Sequence, residues 1–175
     1  MNTKIQKEIS VELPEGFTTR GAVLDDVDTA LKLFNRWSQS VIHENEITDA
    51  GAIRTEWSSP GFDPAEDIRF AFAPNGEMAG YIEVWTTGKP PVHPWIWARI
   101  DPQYQGLGIG TYLLTWGESH ALKALDRVPA ELRFAPQVGT YQQDETSKQL
   151  FADMGYRRIR SFYDKIGRAS CRERV

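Results

Sequence analysis

The feature of this sequence that most directly suggests chemistry is a glycine-rich segment at residues 98–114, which reads ARIDPQYQGLGIGTYLL. Three alternating glycines separate a predicted strand from a predicted amphipathic helix. Because glycine has no Cβ, a backbone rich in it can approach an anion closely. The free N–H groups of the first helical turn would point towards that anion, with the positive end of the helix dipole behind them. The segment therefore predicts a cradle for a phosphate or pyrophosphate.

Two better-known glycine loops do not fit this segment. A dinucleotide-binding fingerprint that begins at Gly106 requires glycine where Thr111 stands. A P-loop requires a Gly-Lys-Ser or Gly-Lys-Thr run, which the sequence lacks. The pattern that remains is Gln105, two residues, Gly108, one residue and Gly110.

The elements that must position this segment can be read from hydrophobic periods, which alternate between helical and strand type from residue 17 onwards. We predict strands over about 17–23, 68–73, 78–84, 95–100, 131–138 and 157–164. We predict helices over about 27–37, 49–57, 108–125 and 144–154. We interpret residues 1–16 as an N-terminal extension and residues 17–164 as one α/β domain.

Composition narrows the class of protein. The net charge of -4 without a block of Lys and Arg argues against a nucleic-acid partner. No apolar stretch reaches the roughly 18 residues of a membrane span, so we expect no membrane association and a cytoplasmic protein. The histidines at positions 43, 93 and 120 are scattered and Cys171 is the only cysteine, so we expect no metal site.

The glycine pattern resembles the coenzyme-binding motif of the GNAT superfamily of acyl-CoA-dependent N-acetyltransferases, and the order of predicted elements over about 17–164 does too. The motif reads Arg or Gln, two residues, Gly, one residue, then Gly or Ala. The resemblance implies an α/β (α+β) fold with a central mixed, mostly antiparallel twisted sheet, flanking helices and a splayed pair of parallel strands. It also implies that acetyl-CoA binds as co-substrate at the turn and along the preceding strand. By position, the coenzyme-binding residues would be Ile100, Gln105, Gly106, Leu107, Gly108, Ile109, Gly110 and Thr111.

The family reaction is direct attack of an amine on the thioester in a ternary complex, and here the sequence departs from the family pattern. An amine is cationic at neutral pH, so a general base must remove a proton, and the departing thiolate can need an acid. Family members often place a carboxylate on the motif strand, but residues 96–100 contain none. Many members carry a tyrosine acid at the position that Phe151 occupies.

Glu83 is the best remaining candidate for the base. Strand alternation places it on the same face as Tyr81 and Trp85. The alternative is a hydrogen-bonded structural carboxylate. Tyr156 and Tyr163 are the candidate acids, and the sequence does not rank them.

The resemblance predicts an N-acetyltransferase that moves an acetyl group from acetyl-CoA to a primary amine of a small molecule. The alternative is a non-catalytic acyl-CoA-binding or supporting domain, with a second GNAT domain in the native chain or a homodimer as its partner. The tail matters for this alternative. Residues 166–175 read IGRASCRERV, which is the translation of a widely used sequencing adapter. We therefore interpret residues 165–175 as non-native and expect the natural chain to continue differently after Asp164.

Overall fold

A five-stranded mixed sheet lies at the centre of the computed structural model, which describes residues 11–45 and 49–161. The strands lie side by side in chain order as β1 (Thr18–Arg20), β2 (Ile68–Phe72), β3 (Met78–Trp85), β4 (Trp95–Ile100) and β5 (Gln137–Val138). The first three pairings are antiparallel and the β4–β5 pairing is parallel. The predicted α/β (α+β) fold, with a mixed and mostly antiparallel sheet, is confirmed.

Helices cover both faces of this sheet. They are α1 (Val27–Ile42), α2 (Ala50–Trp57), the single turn α3 (Pro64–Asp67), α4 (Ile109–Leu122) and α5 (Glu145–Asp153). Side-chain oxygens of aspartate cap two of them, since Asp49 accepts from Gly51 N–H before α2 and Asp144 accepts from Ser147 N–H before α5. In the described part of the chain, no helix combines the length and apolar character needed to cross a bilayer.

Two hydrophobic clusters divide the core between the two faces. Helices α1 and α2 pack with Phe70 and Tyr81 on one face, which we call the α1/α2 face. Helix α4 packs with Ile82 and Ile96 on the other, the α4 face. Because consecutive strand residues point to opposite faces, the odd-numbered residues of β3 and β4 near the site belong to the α1/α2 face.

The predicted hairpin of β2 and β3 is present, with Phe70 opposite Tyr81 and Ile68 opposite Glu83. Helices cover β3 on both sides, and residues 78–84 are all buried. Polar side chains on this strand, Glu83 included, are therefore held inside the protein. Their burial is what gives them unusual protonation chemistry.

The predicted strand over 131–138 is wrong for most of its length, because only Gln137–Val138 form a strand. Pro136 has no N–H to donate to a ladder, and Leu132 N–H bonds back to the Pro129 carbonyl in a turn. The apolar character of this stretch comes from side chains such as Phe134 that pack against the α4 face without strand pairing.

The predicted last strand over 157–164 is also wrong in its described part, since residues 157–161 are irregular and exposed. β5 beside it is only two residues long and offers little ladder to extend. Residues 162–164, with Tyr163, lie outside the described residues, as do the tail and the first ten residues. Smaller differences are a first strand confined to Thr18–Arg20 and an α4 that ends at Leu122.

Candidate active site

The glycine turn adopts the conformation that its sequence demands. Gly106 and Gly108 have φ values of +78° and +81°, in the left-handed region that side chains with a Cβ rarely adopt. A Cβ built on either glycine meets no atom within 4 Å. These two glycines therefore border open space.

The head of α4 supplies hydrogen-bond donors to this turn. The first backbone bond at this end runs from Tyr112 N–H to the Gly108 carbonyl at 3.0 Å. The N–H groups of Ile109, Gly110 and Thr111 precede that bond and have no acceptor within the helix. A helix of 14 residues adds the positive end of its dipole. Donors and dipole together suit a pyrophosphate.

Gly110 has a different role from the other two motif glycines. A Cβ on it would lie 3.1 Å from Leu150 Cδ2 on α5 and 3.6 Å from Ile100 Cγ1 on β4. Its small size is thus needed for close packing of α4 against α5 and β4. The backbone of Gly110, rather than its missing side chain, is what the turn offers to a ligand.

An ion pair fixes the turn to α1. Asp101 is only 2% exposed, and it accepts hydrogen bonds from Arg36 Nε at 2.5 Å and from Gln103 N–H at 3.0 Å. We did not predict this anchor from the sequence, although an aspartate directly before Pro102 is a recognisable capping signal. A cavity of about 580 Å³ lies between α1 and this anchor and is lined partly by Lys32 and Asn35.

Strands β4 and β5 diverge after a short contact, as the resemblance implied. Their pairing involves only Trp95 with Gln137 and Ile96 with Val138. No described strand accompanies the outer edge of β4 over residues 97–100. The gap between the strands opens towards the glycine turn.

Ile100 presents its backbone to this gap. Asp101 N–H donates to the Ala79 carbonyl of β3 at 2.9 Å, and Gly80 lies opposite Ile100. Hydrogen-bonded and non-hydrogen-bonded pairs alternate along an antiparallel ladder, so the N–H and C=O of Ile100 point away from β3. The structure thus leaves these groups at the open edge.

Glu83 lies in a buried polar cluster on the α1/α2 face. Tyr81 and Glu83 neighbour each other on β3, and the Tyr81 hydroxyl donates to Glu83 Oε2. Across the ladder, Arg99 of β4 lies opposite Tyr81, and Trp97 lies opposite Glu83. Glu83 and Arg99 are each only 6% exposed.

Burial raises the pKa of Glu83 to about 7. The hydrogen bond from Tyr81 and the positive charge of Arg99 act in the opposite direction and favour the carboxylate. Burial also raises the pKa of Tyr81 well above its ordinary value, with the Glu83 charge adding to the effect. Glu83 is therefore close to half ionised at neutral pH, which is the condition of an effective general base.

Arg99, which we did not predict as a site residue, has its guanidinium carbon over three aromatic rings. The distances to the ring centroids are 4.5 Å for Phe34, 5.3 Å for Trp37 and 5.6 Å for Trp97. The alternation of Trp95, Trp97 and Arg99 along the motif strand was the signal that could have revealed it. A cavity of about 210 Å³ is lined by Phe34, Ile53, Glu56, Trp57, Tyr81, Glu83, Trp97 and Arg99.

Tyr156, a candidate acid, has a different environment. Its hydroxyl lies near Glu118 of α4, and it packs on the α4 face with Phe151, whose ring centroid is 6.1 Å away. Burial and the Glu118 charge raise the pKa of Tyr156. Both effects make it a weaker acid. Tyr163 lies outside the described residues.

The histidines do not build a metal site. Among the described residues, no three His, Cys, Asp or Glu side chains come together as possible metal ligands. His120 has a partner that the sequence did not suggest, because its Nε2 lies 2.7 Å from Asp67 Oδ1 and its ring stacks on Trp116. This contact joins α4 to the last residue of α3.

Known structures share this architecture. The GCN5-related N-acetyltransferase from Sphaerobacter thermophilus is 25% identical, with a TM-score of 0.75 over 83% of this chain. This chain spans only 45% of the length of that one. The phosphinothricin acetyltransferase from Sinorhizobium meliloti in complex with acetyl-CoA is 15% identical, with a TM-score of 0.59 over 80% of this chain and 74% of its own.

A third structure is the spermidine N-acetyltransferase from Vibrio cholerae in complex with CoA and spermine, which is 15% identical, with a TM-score of 0.59 over 81% of each chain. No curated protein sequence matches significantly. The family model of the acetyltransferase (GNAT) family matches residues 30–156, well over half of the sequence. The chain belongs to the acetyltransferase (GNAT) family.

Proposed function

We propose that this protein is an N-acetyltransferase that transfers an acetyl group from acetyl-CoA to a primary amine of a small molecule, by direct attack in a ternary complex. The observation that carries the proposal is the open glycine turn at the head of α4, next to the unpaired edge of β4 and one strand away from Glu83. Acetyl-CoA is bound in the related S. meliloti structure.

In this proposal the turn and the strand edge bind different parts of the coenzyme. The N–H groups of residues 105–111 hold the pyrophosphate: Gln105, Gly106, Leu107, Gly108, Ile109, Gly110 and Thr111. The outward N–H and C=O of Ile100 pair with the amides of the pantetheine arm. Two left-handed glycines next to open space fit an anion that must come close to the backbone.

Glu83 is the proposed base. When bound, acetyl-CoA supplies a thioester whose carbonyl carbon is the electrophile. The Glu83 carboxylate removes a proton from the acceptor ammonium, directly or through one water, and the free amine then attacks. A C–N bond forms as the C–S bond breaks, which gives an amide and the CoA thiol. The Tyr81 hydroxyl holds the carboxylate in place.

The test measures binding and turnover separately. Isothermal calorimetry should detect acetyl-CoA binding, and a thiol assay should detect CoA release with at least one member of a panel of primary amines. A chain that binds no acetyl-CoA would refute the proposal. Binding without thiol release from any amine would favour the second candidate.

The second candidate is a non-catalytic acyl-CoA-binding or supporting domain of a tandem protein. Phe151 in place of a tyrosine acid and the absence of a carboxylate on β4 favour it. The S. thermophilus chain, which this one covers to only 45%, is long enough for two such units. Reading the source DNA beyond the codon for Asp164 tests this candidate, because a stop codon within a few residues would contradict it.

A further inference from the structure

We propose that the acceptor is an amine that also carries a carboxylate, as a small α-amino acid does, and that Arg99 binds this carboxylate while Glu83 receives the amine. The inference rests on the proposed function and specifies its acceptor. The cavity on the α1/α2 face brings two carboxylates, Glu56 and Glu83, together with the Arg99 guanidinium.

The cavity contains charges of both signs, because the carboxylates of Glu56 and Glu83 line it together with the guanidinium of Arg99. A polyamine would meet the carboxylates but would also place positive charge next to a buried guanidinium. An amino acid places its ammonium with the carboxylates and its own carboxylate with Arg99. Arginine is also the side chain best suited to bidentate carboxylate binding.

The geometry suits charges that are close together on the ligand. Glu83 lies opposite Trp97, so Arg99 is its diagonal neighbour across the ladder. Diagonal positions are about 7–8 Å apart between backbones, and the two side chains narrow that distance. A ligand with its amine and its carboxylate on the same or adjacent carbons can therefore bridge them.

Aromatic packing prepares Arg99 for this role. Phe34, Trp37 and Trp97 lie against the guanidinium, which restricts its orientation. Its five N–H donors lie in the guanidinium plane, so it can bind a carboxylate in addition to interacting with groups of the protein. A guanidinium group whose orientation is already restricted loses less conformational entropy when it binds a carboxylate.

The size of the cavity limits the rest of the acceptor. At about 30 Å³ for each water-sized group, a cavity of about 210 Å³ holds roughly seven non-hydrogen atoms. Valine, leucine and methionine are close to this size, and the aromatic lining suits their apolar side chains. A long polyamine would extend beyond the cavity.

The experiment compares each of L-valine, L-leucine and L-methionine with its amide, which keeps the shape and loses the negative charge. For the wild-type chain we expect kcat/KM to be about 10-fold to 100-fold higher for the acids. The amine of an amino acid amide loses its proton more easily than that of the acid, so amine basicity cannot produce this preference. Equal or better use of the amides would overturn the inference.

Arg99→Met should reduce the acid-to-amide ratio to about one, and Arg99→Lys, which keeps the charge but not the fork, should retain part of it. If Arg99 acts only through the charge state of Glu83, its removal will shift the pH profiles of acid and amide equally and leave the ratio unchanged. That result would also overturn the inference. Thermal unfolding of both variants establishes that they fold.

Two further results separate this inference from the proposed function. Turnover of amines with no preference for the carboxylate would refute the inference and leave the acetyltransferase proposal standing. If no amine is acetylated, calorimetry of L-methionine and its amide decides the inference alone. Binding of the acid only, with loss in Arg99→Met, supports it, and binding of neither refutes it.

Discussion

The Tyr81 hydroxyl donates a hydrogen bond to the Glu83 carboxylate inside the sheet face that α1 and α2 cover. The contact joins two groups whose pKa values burial raises, one of them into the neutral range. A carboxylate in this state can take up and release protons under physiological conditions. It also makes the fold sensitive to pH, so activity and stability give separate tests of the same residue.

Glu83→Gln should lower kcat/KM by about a hundredfold or more at pH 8, because positioned general bases contribute roughly that much. With a pKa of about 7, Glu83 is mostly protonated at pH 6 and mostly ionised at pH 8. The ratio of wild-type to variant rates should therefore grow across this range. Glu131→Gln, at an exposed carboxylate, is the matched control. A constant ratio near one would remove Glu83 as the base.

Glu83 should also make the free energy of unfolding depend on pH, in a direction that follows from its raised pKa. Its folded-state pKa, about 7, is higher than the ordinary value of 4.5, so the native protein binds more protons than the unfolded chain between these values. Stability is therefore lost as pH rises from about 4.5 through 7. The free energy of unfolding of Glu83→Gln, taken relative to that of wild type, should therefore rise by up to about 3 kcal/mol from pH 5 to pH 8. Urea denaturation at both pH values measures this gain, and a pH-independent difference would contradict it.

Gly108→Trp should weaken acetyl-CoA binding about a hundredfold or more, because the indole would occupy the space beside the turn. Gly76→Trp is a closely matched control, since both glycines have φ values near +80° and a Cβ added to either would meet no atom within 4 Å. The two variants share the backbone strain of a left-handed residue. Similar affinities by calorimetry would count against the turn as the coenzyme site.

Asp101→Asn should raise the Kd for acetyl-CoA about tenfold, because it removes the charge that ties the turn to Arg36 on α1. Asp26→Asn breaks another arginine pair, with Arg20 on the protein surface, and serves as the control. We expect Asp26→Asn to leave the Kd unchanged. Equal affinities for the two variants would mean that the anchor does not position the turn.

Tyr156→Phe should leave turnover within about threefold of wild type. The reason is that Tyr156 packs on the α4 face near Glu118, whereas Glu83 lies on the α1/α2 face. Steady-state kinetics measures the effect. A tenfold loss of kcat without a change in KM would restore Tyr156 as the acid.

The sequence by itself determined the parts of this protein that depend on neighbouring residues. The turn at Gly106 and Gly108 follows from the missing Cβ and from the helix that starts directly after it. The hairpin of β2 and β3 follows from two apolar strand patterns on either side of the turn at Asn75 and Gly76. Both patterns involve residues that are close in the sequence, so they can be interpreted without knowledge of the remaining chain.

Tertiary structure decided what depends on residues far apart in the chain. Arg36 and Asp101 are 65 positions apart, and only the packing of α1 on the sheet brings them together. Arg99 meets Glu83 through the register of β4 on β3, which sequence alternation alone does not fix. Residues 131–136 have strand-like composition but form no strand, because Pro136 has no N–H to donate and the Leu132 N–H bonds within a turn. Strand pairing and burial are properties of the whole chain, and they turned an ordinary glutamate on a central strand into a group that titrates near neutral pH.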